Sequence, residues 1–284
     1  MTYILVDIGG TNTRIAASSD LTTFTDPVKQ PTPAQPEAGL QLIQEAVSAL
    51  APEGDIHGIV VGIRGQLDED KQLVEHMQPN DPLLSWQDYP LGATLSEQYG
   101  CPVWMENDTA LAGLGEAYHG AGQGFDLVVY HTISTGVGGV RIDCGSIDHA
   151  SIGFEPGHQV LDIDRTVLGE DVTPTLENLV SGTAVEERMG VPPYEIPQDD
   201  TLWDMLAGYL GQGLRNTVLY WSPEVIVLGG SMIIGDPKIT IDAIRRQTVA
   251  ALDGYVDCPY ITVASCGDTA PLYGAMVYAK QKTE

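Results

Sequence analysis

Near the start of the chain, VDIGGTNTRIA sets an acid, two glycines, two threonines, an asparagine and an arginine between apolar runs. A strand–turn–strand of this kind lets backbone N–H groups approach an anion, because glycine has no Cβ to hold it away. Gly9 and Gly10 would give that approach, Thr11 and Asn12 neutral donors, and Arg14 a positive charge. Asp7, at the end of the first strand, suits a hydrated magnesium ion, which takes one or two carboxylates beside phosphate oxygens. The plain alternative is a hairpin turn that needs glycine.

The same chemistry recurs in STGVGG (134–139), where Ser134, Thr135 and Gly136 could meet phosphate through hydroxyls and N–H groups. Alone it is a weak signal, since glycine-rich turns are common. In VIVLGGS (225–231), Gly229 and Gly230 end an apolar run and could let a flat base approach the backbone. On its own that stretch reads first as a tight strand-to-helix turn. MENDTALAG (105–113) clusters Glu106, Asn107 and Asp108 where a strand gives way to a helix. Asn and Asp are favoured N-caps. A carboxylate there can also accept a proton from a substrate hydroxyl, beside a substrate-binding amide. The two readings are compatible.

Elements must hold these residues. YILVDI and TRIAAS read as two strands of a hairpin, followed by a helix over 37–50 and a buried strand over 57–63. A short helix at 91–99, a strand at 101–106 and a small-residue helix at 108–120 complete a first α/β unit. The pattern then restarts. FDLVVYHTIS and GGVRIDCG flank the second glycine stretch, with Val140 expected to begin the second strand. Helices follow at about 173–189 and 201–221, then a strand at 224–232, a helix at 240–252, a strand at 260–265 and a last helix at 269–281. Two α/β units thus each open on a glycine-bearing hairpin, a repeat of architecture without residue-level periodicity. QPTPAQPEAG (30–39) reads as a proline-rich surface loop.

Composition narrows the function. The 284 residues allow one large or two modest domains. With 13 basic against 39 acidic residues the formal charge is −26, which repels phosphate backbones and anionic lipid; nucleic acid and membrane are not expected partners. Cys101, Cys144, Cys258 and Cys266 have no metal-type spacing and read as buried reduced thiols of a cytoplasmic protein. The N-terminal apolar run is short, lacks a basic flank and is broken by Asp7, unlike a signal peptide.

In series, these motifs resemble the ROK sugar kinases (repressor, open reading frame, kinase) of the actin/hexokinase/Hsp70-like ATPase superfamily. DIGGTNTRIA resembles the first phosphate motif, STGVGG the second and PEVIVLGGS the adenosine motif. ENDTALAGLGE resembles the segment with the sugar-binding Asn and catalytic Asp. GFEPGH (153–158) resembles the Glu-x-x-His sugar motif, LENLVSGTAVEER (176–188) the family signature and APLYGA (270–275) the C-terminal segment. The matches run in family order over essentially the whole chain.

That resemblance implies an α/β fold of two actin-like, ribonuclease-H-like lobes around a central cleft. The lobes would be 1–106, joined by the C-terminal helix at about 270–284, and 107–269. It implies ATP and Mg²⁺ as cofactors and transfer of the γ-phosphoryl group to a hexose, glucose first. The alternatives are another hexose or N-acetylhexosamine, or a non-catalytic sugar-sensing regulator. Asp108 would be the base; Asn107, Asp108, Glu155, His158 and Glu177 would contact sugar hydroxyls, with Gly65 and Asn80 lining the same pocket. Asp7, Gly9, Gly10, Thr11, Asn12, Arg14, Thr135, Gly136, Gly229 and Gly230 would serve the nucleotide and its magnesium. A homodimer and a place in carbohydrate metabolism, glycolysis included, also follow from the resemblance.

Two departures stand out. Many ROK proteins carry C-x-C-G-x-x-G-C-x-E after the Glu-x-x-His, but here Leu168, Glu170 and Thr175 stand where cysteines would be. Without thiolates no structural zinc is expected, and a neighbouring hydrogen bond would have to orient His158. Arg64 replaces the usual proline of a G-x-P-G turn. It reads first as a surface residue, with contact to an anionic group as the alternative.

Overall fold

The computed structural model describes residues 1–284 as two compact α/β units. The first comprises residues 1–118, 149–153 and 268–284, and the second residues 119–148 and 154–267.

In the first unit, β1 (Thr2–Ile8) and β2 (Asn12–Ser18) form the glycine hairpin, and β3 (Val28–Pro31) extends it. β4 (Ile56–Ile63) and β7 (Val103–Asn107) complete a sheet of order β3-β2-β1-β4-β7, with β1, β4 and β7 parallel. A small hairpin of β5 (Gln66–Leu67) and β6 (Val74–His76) leaves the end of β4. The apolar runs of the central strands are buried on both faces, as a parallel sheet covered by helices requires. α1 (Pro36–Leu50) starts on a proline already set for helical φ, and packs Ile43, Ala46 and Val47 into that core. α2 (Leu91–Tyr99) ends at Gly100.

α3 (Asp108–His119) and α9 (Ala270–Thr283) approach at glycines. A Cβ on Gly115 would collide with the Ala270 carbonyl, and one on Gly274 with that of Leu111. The small-residue pattern of 108–120 is therefore a packing requirement.

In the second unit, β8 (Leu127–Ile133), β9 (Val137–Asp143), β10 (Ser146–Ile147), β11 (Val225–Gly229) and β12 (Tyr260–Val263) form a sheet of order β10-β9-β8-β11-β12. β8 runs antiparallel to β9 and parallel to β11. This is the same strand plan as the first unit, which gives the architectural repeat its structural form. α4 (Leu176–Val180), α5 (Gly182–Met189), α6 (Leu202–Trp221), α7 (Ser231–Ile234) and α8 (Ile241–Leu252) follow. α6 buries Leu206, Leu210 and Leu214 in the second core.

Several expectations are corrected. β9 begins at Val137, so Gly138 and Gly139 sit in the ladder opposite Thr132 and His131. The 173–189 helix is two helices broken at Ser181, whose hydroxyl accepts from the Ala184 N–H and caps α5 at 3.2 Å. Part of the proline-rich loop is strand β3. All four cysteines are free, but only Cys101 is buried and Cys144 is exposed.

Candidate active site

Strands β1, β4 and β7 end side by side, at Ile8, Ile63 and Asn107. Ligands of open α/β sheets gather at such carboxyl ends. Asp7 lies across the hairpin from Arg14, whose Nη1 donates to its Oδ2 at 3.0 Å. Arg14 Nη2 donates to Asp268 Oδ2 at 2.9 Å, and Lys29 donates to the same oxygen at 3.1 Å. Asp7 is 3% exposed, and its pKa is pushed up to about 7, chiefly by burial and then by the nearby Asp108 carboxyl. A single guanidinium shared with Asp268 does not offset both effects. Arg14 thus spends its charge on two carboxylates.

The hairpin tip is tied by Gly9 N–H to the Asn12 carbonyl at 3.1 Å, and Thr32 Oγ1 donates to the Gly9 carbonyl at 2.7 Å. The side chains of Thr11 and Asn12 make no hydrogen bond within the chain. Gly10 has an ordinary negative φ; it is needed for space, since a Cβ there would lie 2.5 Å from Arg64 Nη1.

Asn107 caps α3 with its own side chain. Oδ1 accepts from the N–H groups of Thr109 at 2.9 Å and Ala110 at 3.2 Å, and Nδ2 donates to the Gly65 carbonyl at 3.1 Å. Gly65 sits at φ +101°, where a Cβ would also press on Val74 Cγ1 at 2.6 Å. Asp108 follows at the first helical position, its Oδ1 accepting the Thr109 N–H at 2.7 Å. Burial raises its pKa; the Arg64 charge and the Thr109 N–H lower it by less.

Glu106, 5% exposed, receives the Lys71 ammonium and the Asn107 N–H at 3.0 Å, and accepts from Tyr278 of α9. It pins the strand end that carries Asn107 and Asp108. Asn80 is exposed in the loop after β6.

Arg64 is not a loose surface residue. Its Nε pairs with Asp81 Oδ2 at 2.8 Å, and that carboxylate is 5% exposed.

In the second unit, the turn after β8 is closed by the Ser134 N–H on the Gly136 carbonyl at 2.8 Å, with Thr135 exposed at its tip. Glu177 lies directly against it. Its Oε2 accepts the Val137 N–H at 2.8 Å, and a Cβ on Gly136 would stand 2.7 Å from the same oxygen. Ser134 Oγ is 3.1 Å from Ser231 Oγ, which joins this hairpin to the Gly229–Gly230 turn. Gly230, at φ +87°, backs onto the Ile133 carbonyl, leaving no room for a Cβ. Gly229 packs on the Tyr130 hydroxyl in the same way.

Glu155 precedes and His158 ends a single 3-10 turn, Pro156–His158, and both are exposed. The expected hydrogen bond to the His158 ring is not made; the turn itself fixes the residue, through its N–H on the Glu155 carbonyl at 3.1 Å. The following loop is organised by a carboxylate. Asp162 accepts the N–H groups of Thr166 at 3.1 Å, Val167 at 3.1 Å and Leu168 at 2.8 Å, which hold its pKa down. Arg165 Nη1 donates to the carbonyls of Glu170 at 3.0 Å and Val172 at 2.8 Å. Leu168 packs against the core and Thr175 caps α4, so neither is a metal ligand; zinc does not fit this donor set.

Sequence reading missed Asp81, Lys71, Asp268 and Tyr278, lone residues whose partners lie elsewhere in the chain. It also missed Asp162, whose partners are local but form no recognised pattern.

The ROK family profile matches residues 3–282. The fructokinase of Lactococcus lactis subsp. cremoris is 33% identical over 187 residues, which covers 63% of this chain and 61% of that protein. The chain thus spans about three fifths of that relative's length in the match. The crystal structure of the ROK hexokinase from Thermus thermophilus is 27% identical with a TM-score of 0.82, covering all of both chains. The ROK family glucokinase from Streptomyces griseus, solved with glucose and AMPPNP, is 25% identical with a TM-score of 0.79, covering 99% of this chain and all of that one. A family match over nearly the full length, carried on two α/β units of the same strand plan, leads to one conclusion: the chain belongs to the ROK family.

Proposed function

We propose that the protein is an ATP-dependent sugar kinase that phosphorylates a neutral hexose, glucose to glucose 6-phosphate being the first choice. The observation that carries this reading is Asp108, a half-buried carboxyl with raised pKa at the N-terminus of α3, beside the glycine hairpin and Asp7. A general base works best when its pKa approaches the working pH.

In this reading the sugar hydroxyl gives its proton to Asp108 as its oxygen attacks. Asn107, Gly65, Asn80, Glu155, His158 and Glu177 line the sugar. The two glycine hairpins hold phosphates through backbone N–H groups, and the Gly229–Gly230 turn receives the base. Phosphoryl transfer asks mainly for positioning and charge stabilisation, which loops and a few polar groups can give.

Asp7 fits a magnesium ion held partly through water. Its buried charged form is disfavoured by desolvation and by Asp108, and Arg14 relieves this only in part. A divalent ion there would neutralise charge on the transferring phosphoryl group.

Fructose is the second reading, favoured by the fructokinase similarity. The test is ADP release with ATP and magnesium across glucose, fructose, mannose and N-acetylmannosamine. Turnover with one sugar, lost in Asp108→Asn, supports the kinase and names its substrate. Sugar binding without turnover for any of them points to a sensor instead.

A further inference from the structure

Arg64 sits where the family's proline would stand, and its surroundings suit an anion. The guanidinium is fixed at one edge only. Its Nε pairs with Asp81 Oδ2 at 2.8 Å, and Asp81 is itself locked, its Oδ1 accepting the Leu83 N–H at 2.8 Å. The two Nη groups have no acceptor within the chain, and the side chain is 31% exposed. Nη1 lies over Gly10 of the first glycine hairpin, in the space a Cβ would take. Its charge is also close enough to Asp108 to act on that carboxyl.

A free surface arginine needs neither a locked carboxylate nor a glycine to make room for it. A guanidinium held at Nε presents its Nη donors in a fixed plane, the geometry that matches phosphate oxygens.

We propose that Arg64 binds the phosphoryl group in transit, its Nη nitrogens donating to the equatorial oxygens between Gly10 and Asp108. This rests on the kinase reading above. In the step it assists, the bond from the sugar oxygen to the γ-phosphorus forms as that from phosphorus to the β,γ-bridging oxygen breaks. The hydroxyl proton passes to Asp108, and ADP leaves. Charge spread over the equatorial oxygens is what an arginine stabilises in such a transfer. Asp81 is the positioning residue that aims it.

The test compares wild type, Arg64→Met and Arg64→Lys. Calorimetry in the presence of magnesium gives the affinities for AMPPNP, ADP and the best sugar, and ADP release gives kcat and KM. Arg64→Met is expected to lower kcat by about 10²–10³-fold. It should weaken AMPPNP about tenfold more than ADP, with sugar affinity within about threefold of wild type. Arg64→Lys, a point charge without the planar fork, should recover part of both losses. Retained ADP affinity shows that the fold is intact, and if Arg64→Met does not fold, Arg64→Lys against wild type gives the same comparison.

Equal loss of AMPPNP and ADP, or none, with kcat unchanged overturns the proposal. So does a rise in sugar KM alone, which would turn Arg64 toward the sugar. A wild type that phosphorylates no sugar defeats the kinase reading by itself, whereas the AMPPNP-over-ADP difference still decides whether Arg64 grips the γ-phosphoryl group.

Discussion

The side-chain amide of Asn107 donates to the carbonyl of Gly65 at 3.1 Å, tying the first turn of α3 to the left-handed turn that follows β4. The same side chain caps the helix that begins with Asp108. One residue therefore fixes both the base and the backbone beside it. Asn107→Ala should cost about 1–2 kcal/mol, from the lost cap and the released carbonyl. Asn107→Asp keeps the acceptor but loses the donor, and should retain most of the stability while losing activity. Chemical denaturation beside ADP-release assays checks both; an Asn107→Asp enzyme of wild-type rate would remove Asn107 from the substrate.

Asp108→Asn removes the base and keeps the shape. The rate should fall about 10²–10⁴-fold, with sugar affinity little changed. Because burial raises the Asp108 pKa above its usual 3.8, the ionised base is lost as pH falls through that raised value. The acid limb of kcat/KM should lie correspondingly above 3.8, and Arg64→Met should move it further up, since Arg64 is the largest influence lowering it. A limb that does not move would separate the two side chains electrostatically.

His131 gives a pH dependence of stability rather than of rate. It is buried in β8, stacked on Trp221 at 5.6 Å, with Nε2 3.0 Å from Thr217 Oγ1. Burial lowers its pKa from 6.5 to about 4, so the unfolded chain takes up a proton that the native one refuses. The site is neutral to stability above pH 6.5 and destabilising as pH falls toward 4. The full gap is worth about 3 kcal/mol. The difference in denaturation free energy between His131→Gln and wild type should change in that window and be flat above pH 7; a difference flat throughout would place a charged imidazole in the core.

Gly230→Ala forces a Cβ onto the Ile133 carbonyl at φ +87°. Strain of this kind costs about 1–3 kcal/mol, and relief would shift the turn joined to Ser134 through Ser231. Nucleotide affinity should drop with sugar affinity retained, as read by calorimetry. Loss of sugar binding instead would assign this turn to the sugar.

Asp162→Ala should expose the loop over 162–176 to limited proteolysis, because three N–H groups lose their acceptor. Arg165 alone still holds two carbonyls, so cleavage is expected near Thr166–Leu168 before 170–172. Resistance equal to wild type would show that the apolar packing of Leu168 suffices.

The sequence by itself determined the features that rest on neighbours along the chain. Apolar runs interrupted by a short glycine-bearing turn set both hairpins, since a strand-forming run and a tight turn are local properties. Asn107 before an apolar helix announced its cap, and the motif order announced the family. Where local signals conflicted, reading failed: Gly138 and Gly139 looked like loop but pair as strand, because the β8 ladder supplies bonds that outweigh glycine's freedom. Only the tertiary structure decided which charges meet. Arg14 with Asp268 and Arg64 with Asp81 and Gly10 are joined by folding, not by spacing. Glu177, named beforehand as a sugar residue, lies against the hairpin at Gly136 for the same reason. A charged side chain is compatible with many partners in the sequence, and only the folded arrangement brings particular ones within reach.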